Sequence, residues 1–310
     1  MLTTTEKTSL DGFRKGGAYL PSQGQDDVEG WVAFGLRLLL DAGQTVRAAR
    51  GTPSAGGVSL KADGSPVTSI DLAIEEGFRD RLAVFAPDAR VAGEETGGTL
   101  PASGVGVAID PVDGTWAFLA GTETSATTLA VFRDRELFLG MVSNPATGEI
   151  AYATIAGGTR LLQLSLFGEE DLAETLPRSH GDAPGMLVNV HPGRRSGALV
   201  AALHEAWVRG DVRMVRAPGG SPAWALVEAA KGRFVYVNLW SKQPAAAYDL
   251  AAGVLAVRQA GGDVTDLEGQ PIDMLRHAGP FVASVDPRAR GMLQSMVRAA
   301  LSESQRDNDA

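Results

Sequence analysis

The chain of 310 residues contains no cysteine, which excludes disulfides, thiolate metal sites and a cysteine nucleophile. Histidine is nearly as scarce. His180, His191, His204 and His277 stand at no metal-ligand spacing from one another, so surface or core roles are expected and a histidine-based triad is not supported. No apolar run approaches the ~20 residues that cross a bilayer, and no membrane partner is expected. The N-terminal stretch MLTTTEKTSLDGFRKGG lacks the apolar core of a secretion signal. Together with the missing cysteines, this sets the expectation of a cytoplasmic protein. Basic charge is also short: 28 Lys and Arg against 37 Asp and Glu leave a net charge of −9. A nucleic-acid partner, which calls for a basic footprint, is not expected. A Gly-x-x-x-x-Gly-Lys loop is missing, so a nucleoside triphosphate loop is not supported. Lys7, Lys15, Lys61, Lys231 and Lys242 are the only lysines in a chain that otherwise uses arginine.

What the chain does have is 44% hydrophobic residues, enough for one large domain or two closely packed halves. Trp31, Leu38, Leu39, Ala42 and Val46 form the apolar stripe of a helix over 28–50. A second helix is expected from Thr68, whose Thr-x-x-Asp pattern with Asp71 resembles a capping box, and it runs on to Pro87. Short strands are expected at 91–94 and 105–110. From residue 126 the pattern becomes a meander of strands at 128–132, 137–142 and 150–154, separated by turn residues, which indicates an antiparallel sheet. Strands at 186–190, 212–215 and 234–237 then alternate with helices at 195–208, 222–231 and 248–260, the rhythm of an α/β unit. The domain reading is a disordered tail at 1–25, an α+β half at 26–180 carrying a metal and phosphate site, an α/β half at 181–303, and a tail at 304–310.

The chemistry concentrates in Gly93-Glu94-Glu95 and in Ile109-Asp110-Pro111-Val112-Asp113-Gly114-Thr115. Four carboxylates fall at the ends of two expected strands with nothing basic beside them in the sequence. Buried unpaired, each would cost several kcal/mol. A hard divalent cation relieves this, since Mg²⁺ prefers carboxylate and carbonyl oxygens. Gly114 and Thr115 open a helix whose free N–H groups can seat a phosphate. Asp-Pro and Asp-Gly by themselves more often mark plain turns. The wider pattern argues otherwise.

Gly-Glu-Glu, then Asp-Pro-Val-Asp-Gly-Thr, then Asp249 ahead of Leu-Ala-Ala-Gly resembles the signature of the inositol monophosphatase family of Mg²⁺-dependent phosphatases. Lys61-Ala-Asp-Gly-Ser-Pro-Val-Thr-Ser-Ile-Asp71, Gly220-Ser221 and Ala260-Gly261-Gly262 with Asp266 extend the resemblance over residues 28–285. It implies a layered α-β-α-β-α sandwich, an α/β (α+β) fold with an antiparallel-sheet N-terminal half and an α/β C-terminal half. Also implied are two Mg²⁺ ions, one held by Glu94, Asp110 and the Val112 carbonyl, the other by Asp110, Asp113 and Asp249. Many members show a third, weaker ion near the first Glu. In the family a Thr and an Asp orient the attacking water, here Thr115 donating to Asp71, while the amides of Gly114, Thr115 and Trp116 receive the phosphate. Lys61 and Ser221 match positions near metal and substrate. Glu95 is equally open as a helix-start or supporting residue. A homodimer and a small phosphorylated substrate are likewise what the family implies.

The substrate is less defined. Inositol-selective members carry an acid seven residues before the late Asp, where this chain has Lys242, and Pro222 supplies no N–H after Ser221. Lys242 is expected to favour a substrate with a second anionic group. The readings left open are inositol phosphate, fructose 1,6-bisphosphate, histidinol phosphate or a 3′-phosphonucleotide, or a family member that acts mainly as a regulatory binding protein.

Overall fold

The computed structural model describes residues 1–15, 27–50, 57–62, 64–164, 171–177, 186–191, 196–239 and 245–309. Helices α1 (Thr4–Arg14) and α2 (Val28–Ala49) precede a small antiparallel pair, β1 (Val58–Leu60) and β2 (Pro66–Thr68), which leads into α3 (Ser69–Phe85). Thr68 caps α3 as its spacing predicts: the Thr68 hydroxyl accepts the Asp71 N–H, and the Asp71 carboxylate accepts the Thr68 N–H.

A seven-stranded sheet follows in sequence order: β3 (Arg90–Gly93), β4 (Val105–Asp113), β5 (Ala126–Arg133), β6 (Glu136–Asn144), β7 (Glu149–Thr154), β8 (Gly158–Gln163) and β9 (Leu172–Leu176). The short α4 (Thr115–Leu119) lies between β4 and β5. Only β3 and β4 run parallel; the other pairs are antiparallel, as the meander predicts. The second half contains β10 (Met186–His191), α5 (Ser196–Arg209), β11 (Val212–Arg216), α6 (Pro222–Ala230), β12 (Val235–Asn238), β13 (Ala245–Ala246), α7 (Ala247–Gln259), β14 (Asp263–Asp266), β15 (Arg276–His277), β16 (Phe281–Ser284) and α8 (Pro287–Asp309). Its five-stranded sheet has the order β11-β10-β12-β16-β14 and is mixed: β10 is parallel to β11 and β12, while β16 is antiparallel to both neighbours.

The sheets and helices stack in five layers because each strand sorts its side chains by parity. On β4, Val107 and Ile109 join Trp31, Phe34 and Leu38 of α2 in an outer core, while Ala108 faces the opposite side. On β5, Leu129 and Val131 take the outer face, and Ala126 and Ala130 the inner. That inner face is built of small residues because α6 and α7 press against it. At Gly140 a Cβ would come within 2.7 Å of Ala252 Cα, so β6 and α7 touch backbone to backbone. The other side of α6 and α7 meets Tyr236, Phe281 and Ala283 of the second sheet. Val188, Val190 and Val237 on that sheet's far face pack on Leu199 and Leu203 of α5 and Leu293 and Val297 of α8. Each of these fully buried large side chains contributes about 1.5–3 kcal/mol relative to exposure.

Two expectations are corrected. Residues 4–14, assigned to a disordered tail, form α1, whose Thr3–Glu6 capping box and buried Glu6 dock it on the first sheet. The tail expected from residue 304 lies within α8. The meander continues through β8 and β9, two strands beyond those the sequence pattern marks.

Candidate active site

Asp-Pro-Val-Asp continues β4 instead of ending it. Asp110 stands opposite Thr128 and Asp113 opposite Ala126, so β4 has one residue more than β5 between these two pairs. In an unbroken strand residues three apart face opposite sides; the bulge turns Asp113 to the side of Asp110. Asp110 Oδ1 accepts the Val112 N–H at 3.0 Å. Asp113 Oδ2 accepts the Ala223 N–H at 3.1 Å and the Ser221 hydroxyl. Asp249, in the first turn of α7, accepts the Ala246 N–H at 2.7 Å, which fixes its carboxylate at the helix start. One carboxylate oxygen from each of Asp110, Asp113 and Asp249 lies within 4.8 Å of the others.

Such crowding shows in the protonation equilibria. Burial, and then the charges of Glu94 and Asp113, hold Asp110 well above the usual carboxylate range. Burial and the charge of Asp249 do the same to Asp113. Burial, with Glu94 adding to it, pushes Asp249 up to about 7. Three acids this close can ionise together only beside a positive charge.

Glu94 and Glu95 follow β3, and the Glu94 N–H bonds the Ile109 carbonyl at 3.2 Å, which ties their turn to β4. Nothing basic lies beside these acids in the sequence, but the fold brings Lys61 to them, as its family match implies. Lys61, far away in sequence, bonds Glu94 at 2.6 Å and Glu95 at 2.9 Å. Burial opposes the Lys61 charge, yet its bonds to Glu94 and Glu95 raise its pKa above the ordinary lysine value. Burial pushes Glu95 up to about 7 even with Lys61 beside it. Behind the turn sits a residue of α3 that no sequence motif singles out: Glu75 is fully buried and accepts the Glu95 N–H at 2.8 Å, the Thr96 N–H at 3.2 Å and the Thr96 hydroxyl. An acid at a core-facing position of α3 is the signal that could have marked it.

Gly114 links β4 to α4 with φ +85°, a left-handed conformation natural to glycine. A Cβ there would meet Ser221 N at 2.7 Å, so the two halves of the chain touch at this point. Ala117 is the first residue of α4 whose N–H returns to the Gly114 carbonyl, leaving the amides of Thr115 and Trp116 outside the helical ladder. The Trp116 side chain is 63% exposed. Two roles are corrected. Thr115 donates to the Val112 carbonyl at 3.1 Å and not to Asp71. Ser221, expected at the substrate, is buried with its hydroxyl committed to Asp113 and, as helix cap, to the Trp224 N–H. Lys242 lies outside the described residues.

Glu94, Asp110, Asp113, Asp249, Gly114, Thr115 and Trp116 line one cavity of about 270 Å³ together with Pro66, Gly220 and His191. His191, at the end of β10, was read as an ordinary surface or core histidine. Burial lowers its pKa to about 4, so the cavity wall it forms is uncharged at neutral pH.

Residues 27–306 match the inositol monophosphatase family. The chain belongs to that family. Among curated relatives it is 31% identical over 220 residues to the histidinol-phosphatase of Mycobacterium tuberculosis, covering 68% of this chain and 78% of that one. It is 31% identical over 245 residues to the inositol-1-monophosphatase of Rhizobium meliloti, covering 78% and 86%. The fold superposes on the IMPase of Thermotoga maritima with a TM-score of 0.71 at 24% identity, covering 88% of this chain and 98% of that one.

As in a metal-dependent inositol monophosphatase family member, the residues present fit a hard cation. The donors are carboxylate oxygens on fixed backbone. Asp71 Oδ1 is buried with no hydrogen-bond partner among the described residues, and burial raises the Asp71 pKa. A buried carboxylate oxygen is rarely left so unless water or an ion completes it.

Proposed function

We propose that the chain is a Mg²⁺-dependent phosphoric monoester hydrolase acting on a small phosphorylated metabolite. The observation that carries this reading is the trio Asp110, Asp113 and Asp249, the first two buried and the third half-buried, converging within 4.8 Å, in a chain of a family whose curated relatives are named phosphatases.

Glu94, Asp110 and the Val112 carbonyl would hold one cation, and Asp110, Asp113 and Asp249 a second. Such ions supply activation of water at neutral pH and neutralisation of charge on the leaving oxygen. The chain's own residues do the rest. Val112 can serve because its carbonyl has a second lone pair beyond the one engaged by Thr115. Thr68 holds Asp71 through its N–H at 2.9 Å and its hydroxyl, which leaves Asp71 Oδ1 as the acceptor for a proton of the attacking water. The amides of Thr115 and Trp116 meet the phosphate at the start of α4. Ser221 and Ala223 fix Asp113 from the second half. The neutral face of His191 and the exposed Trp116 ring border the space for the leaving group.

The curated relatives carry different substrate names, the Thermotoga maritima relative being a fructose-1,6-bisphosphatase/inositol-1-monophosphatase, so the substrate is set by this cavity and not by the family. The deciding experiment is phosphate release from inositol 1-phosphate, fructose 1,6-bisphosphate, histidinol phosphate and 3′-phosphoadenosine compounds, with and without Mg²⁺. Release from at least one that stops in excess chelator and returns with Mg²⁺ is the expected result. Full turnover in chelator would sink the metal reading. A homodimer and a cytoplasmic location complete the proposal; sedimentation of the purified chain tests the first.

A further inference from the structure

A second cavity, of about 580 Å³, opens at the edge of the first sheet and shares no lining residue with the catalytic one. Its walls come from the end of α3, from β3 and from the segment before β4. Leu82, Pro87, Val91 and Pro101 give it apolar wall beside a larger polar share, and two cations, Arg79 and Arg90, reach it. No carboxylate lines it among the described residues. Arg90 is exposed and makes no ion pair among the described residues. A space of this size, with mixed walls and two guanidinium groups, suits a small organic anion that carries some apolar surface.

Arg79 also looks the other way. Its Nε and Nη2 bond Glu75 Oε1 at 3.1 and 3.0 Å, and Nη2 bonds the Gly97 carbonyl at 2.8 Å. Glu75 in turn carries the Glu95–Thr96 backbone, the turn that presents Glu94 to the acid cluster. Arg79 is the one cation paired with the buried Glu75 carboxylate among the described residues. An anion in the cavity competes with Glu75 for that guanidinium. A buried carboxylate that loses its counter-charge must move toward another donor or solvent, which slackens its hold on the turn.

We infer that this cavity is a regulatory site for a small organic anion, which weakens cation binding at Glu94 by drawing Arg79 away from Glu75. The regulatory half rests on the metal site of the proposed function; the existence of the anion site does not. Because coupling between two ligands is reciprocal, a bound divalent cation must weaken the anion to the same degree.

The test uses 1-naphthalenesulfonate, which carries one charge on an apolar ring system and does not chelate Mg²⁺, titrated calorimetrically into the full chain without substrate. Wild type is expected to bind it. Arg90→Ala should bind about tenfold more weakly, the scale of one lost charge-assisted contact. Ala83→Trp, which fills the cavity from an exposed position of α3, should abolish binding. Saturating Mg²⁺ should weaken sulfonate binding to wild type, and sulfonate should raise the Mg²⁺ concentration for half-saturation. No binding, or equal binding to wild type and both variants, overturns the site. Binding that both variants lower but that saturating, calorimetrically visible Mg²⁺ leaves unchanged overturns the coupling. If Mg²⁺ itself does not bind, the metal reading fails and the coupling with it, while the two variants still decide the cavity.

Discussion

Asp110 would contribute to both cations of the proposed site, and it is the most buried of the three clustered aspartates. Asp110→Asn keeps its volume and removes its charge, so turnover should fall by about two orders of magnitude or more, together with metal affinity. Thr115→Val is a finer probe. It frees the Val112 carbonyl from its hydrogen bond and removes a hydroxyl from the cavity; kcat should fall while the Mg²⁺ half-saturation stays near that of wild type. A collapse of metal affinity instead would place Thr115 in the cation cage. His191 gives a pH prediction. Its folded pKa of about 4 lies below the ordinary value of 6.5, so the stability of the neutral, buried imidazole is present above pH 6.5 and lost as pH falls toward 4. Melting temperatures over that range should drop less steeply for His191→Gln than for wild type. At this scale the acids were legible because their order along the chain matches a family pattern; their tight spacing alone more often marks a plain turn. The roles of Ser221, Lys61 and Glu75 were not. Each acts on a residue distant in the chain, and one-dimensional spacing does not encode which distant backbone a side chain will face.

Among the elements, α1 departs furthest from the sequence reading. Its polar composition suggested a tail, yet its buried face is organised around one acid. Glu6 is fully buried and bonds Arg160 Nη2 at 2.8 Å on β8 and the Tyr152 hydroxyl at 2.9 Å on β7. Burial opposes its charge, but the Arg160 bonds and the Thr3 N–H outweigh it and lower its pKa. The docking energy is therefore present above the ordinary carboxylate pKa and lost as pH falls through the lower folded value. Glu6→Ala strands Arg160 and should cost about 3 kcal/mol. Limited proteolysis at Arg14 or Lys15 should then cut before global unfolding, with phosphate release preserved. α2, α3 and the strands of the meander were readable because parity and helical stripes are local patterns. β8, β9, β14 and β16 were missed because their burial is decided by α7 and by neighbouring strands.

For the molecule as a whole, the decisive joint is between the two sheets. Lys231 at the end of α6 is buried and bonds Glu149 of β7 at 2.8 Å and Glu228 at 2.6 Å, with its ammonium 4.6 Å from the Trp224 ring centre. Arg216 extends the network to Glu228 at 3.1 Å. Lys231→Met removes the cation shared by two largely buried acids, and the expected cost is about 3–5 kcal/mol in denaturant titrations. Because the change lies away from the acid cluster, turnover of the folded fraction should stay near wild type. The two-half organisation was visible in the switch from meander to strand–helix alternation. The sharing of α6 and α7 by both sheets was visible only through the family resemblance.

That sharing has a consequence in time. Asp249 is carried by α7, while Glu94, Asp110 and Asp113 belong to the first half. During synthesis these three acids leave the ribosome on the order of ten seconds before Asp249 does. In that interval the emerging chain has Lys61 to neutralise Glu94, but nothing yet stands against Asp113 from the later half. The full cage therefore closes only when α7 slides under the first sheet. On the proposed function, cation uptake would be a late event in the chain's life, and a ribosome-bound fragment ending before α7 should hold Mg²⁺ no better than a loose cluster of surface acids.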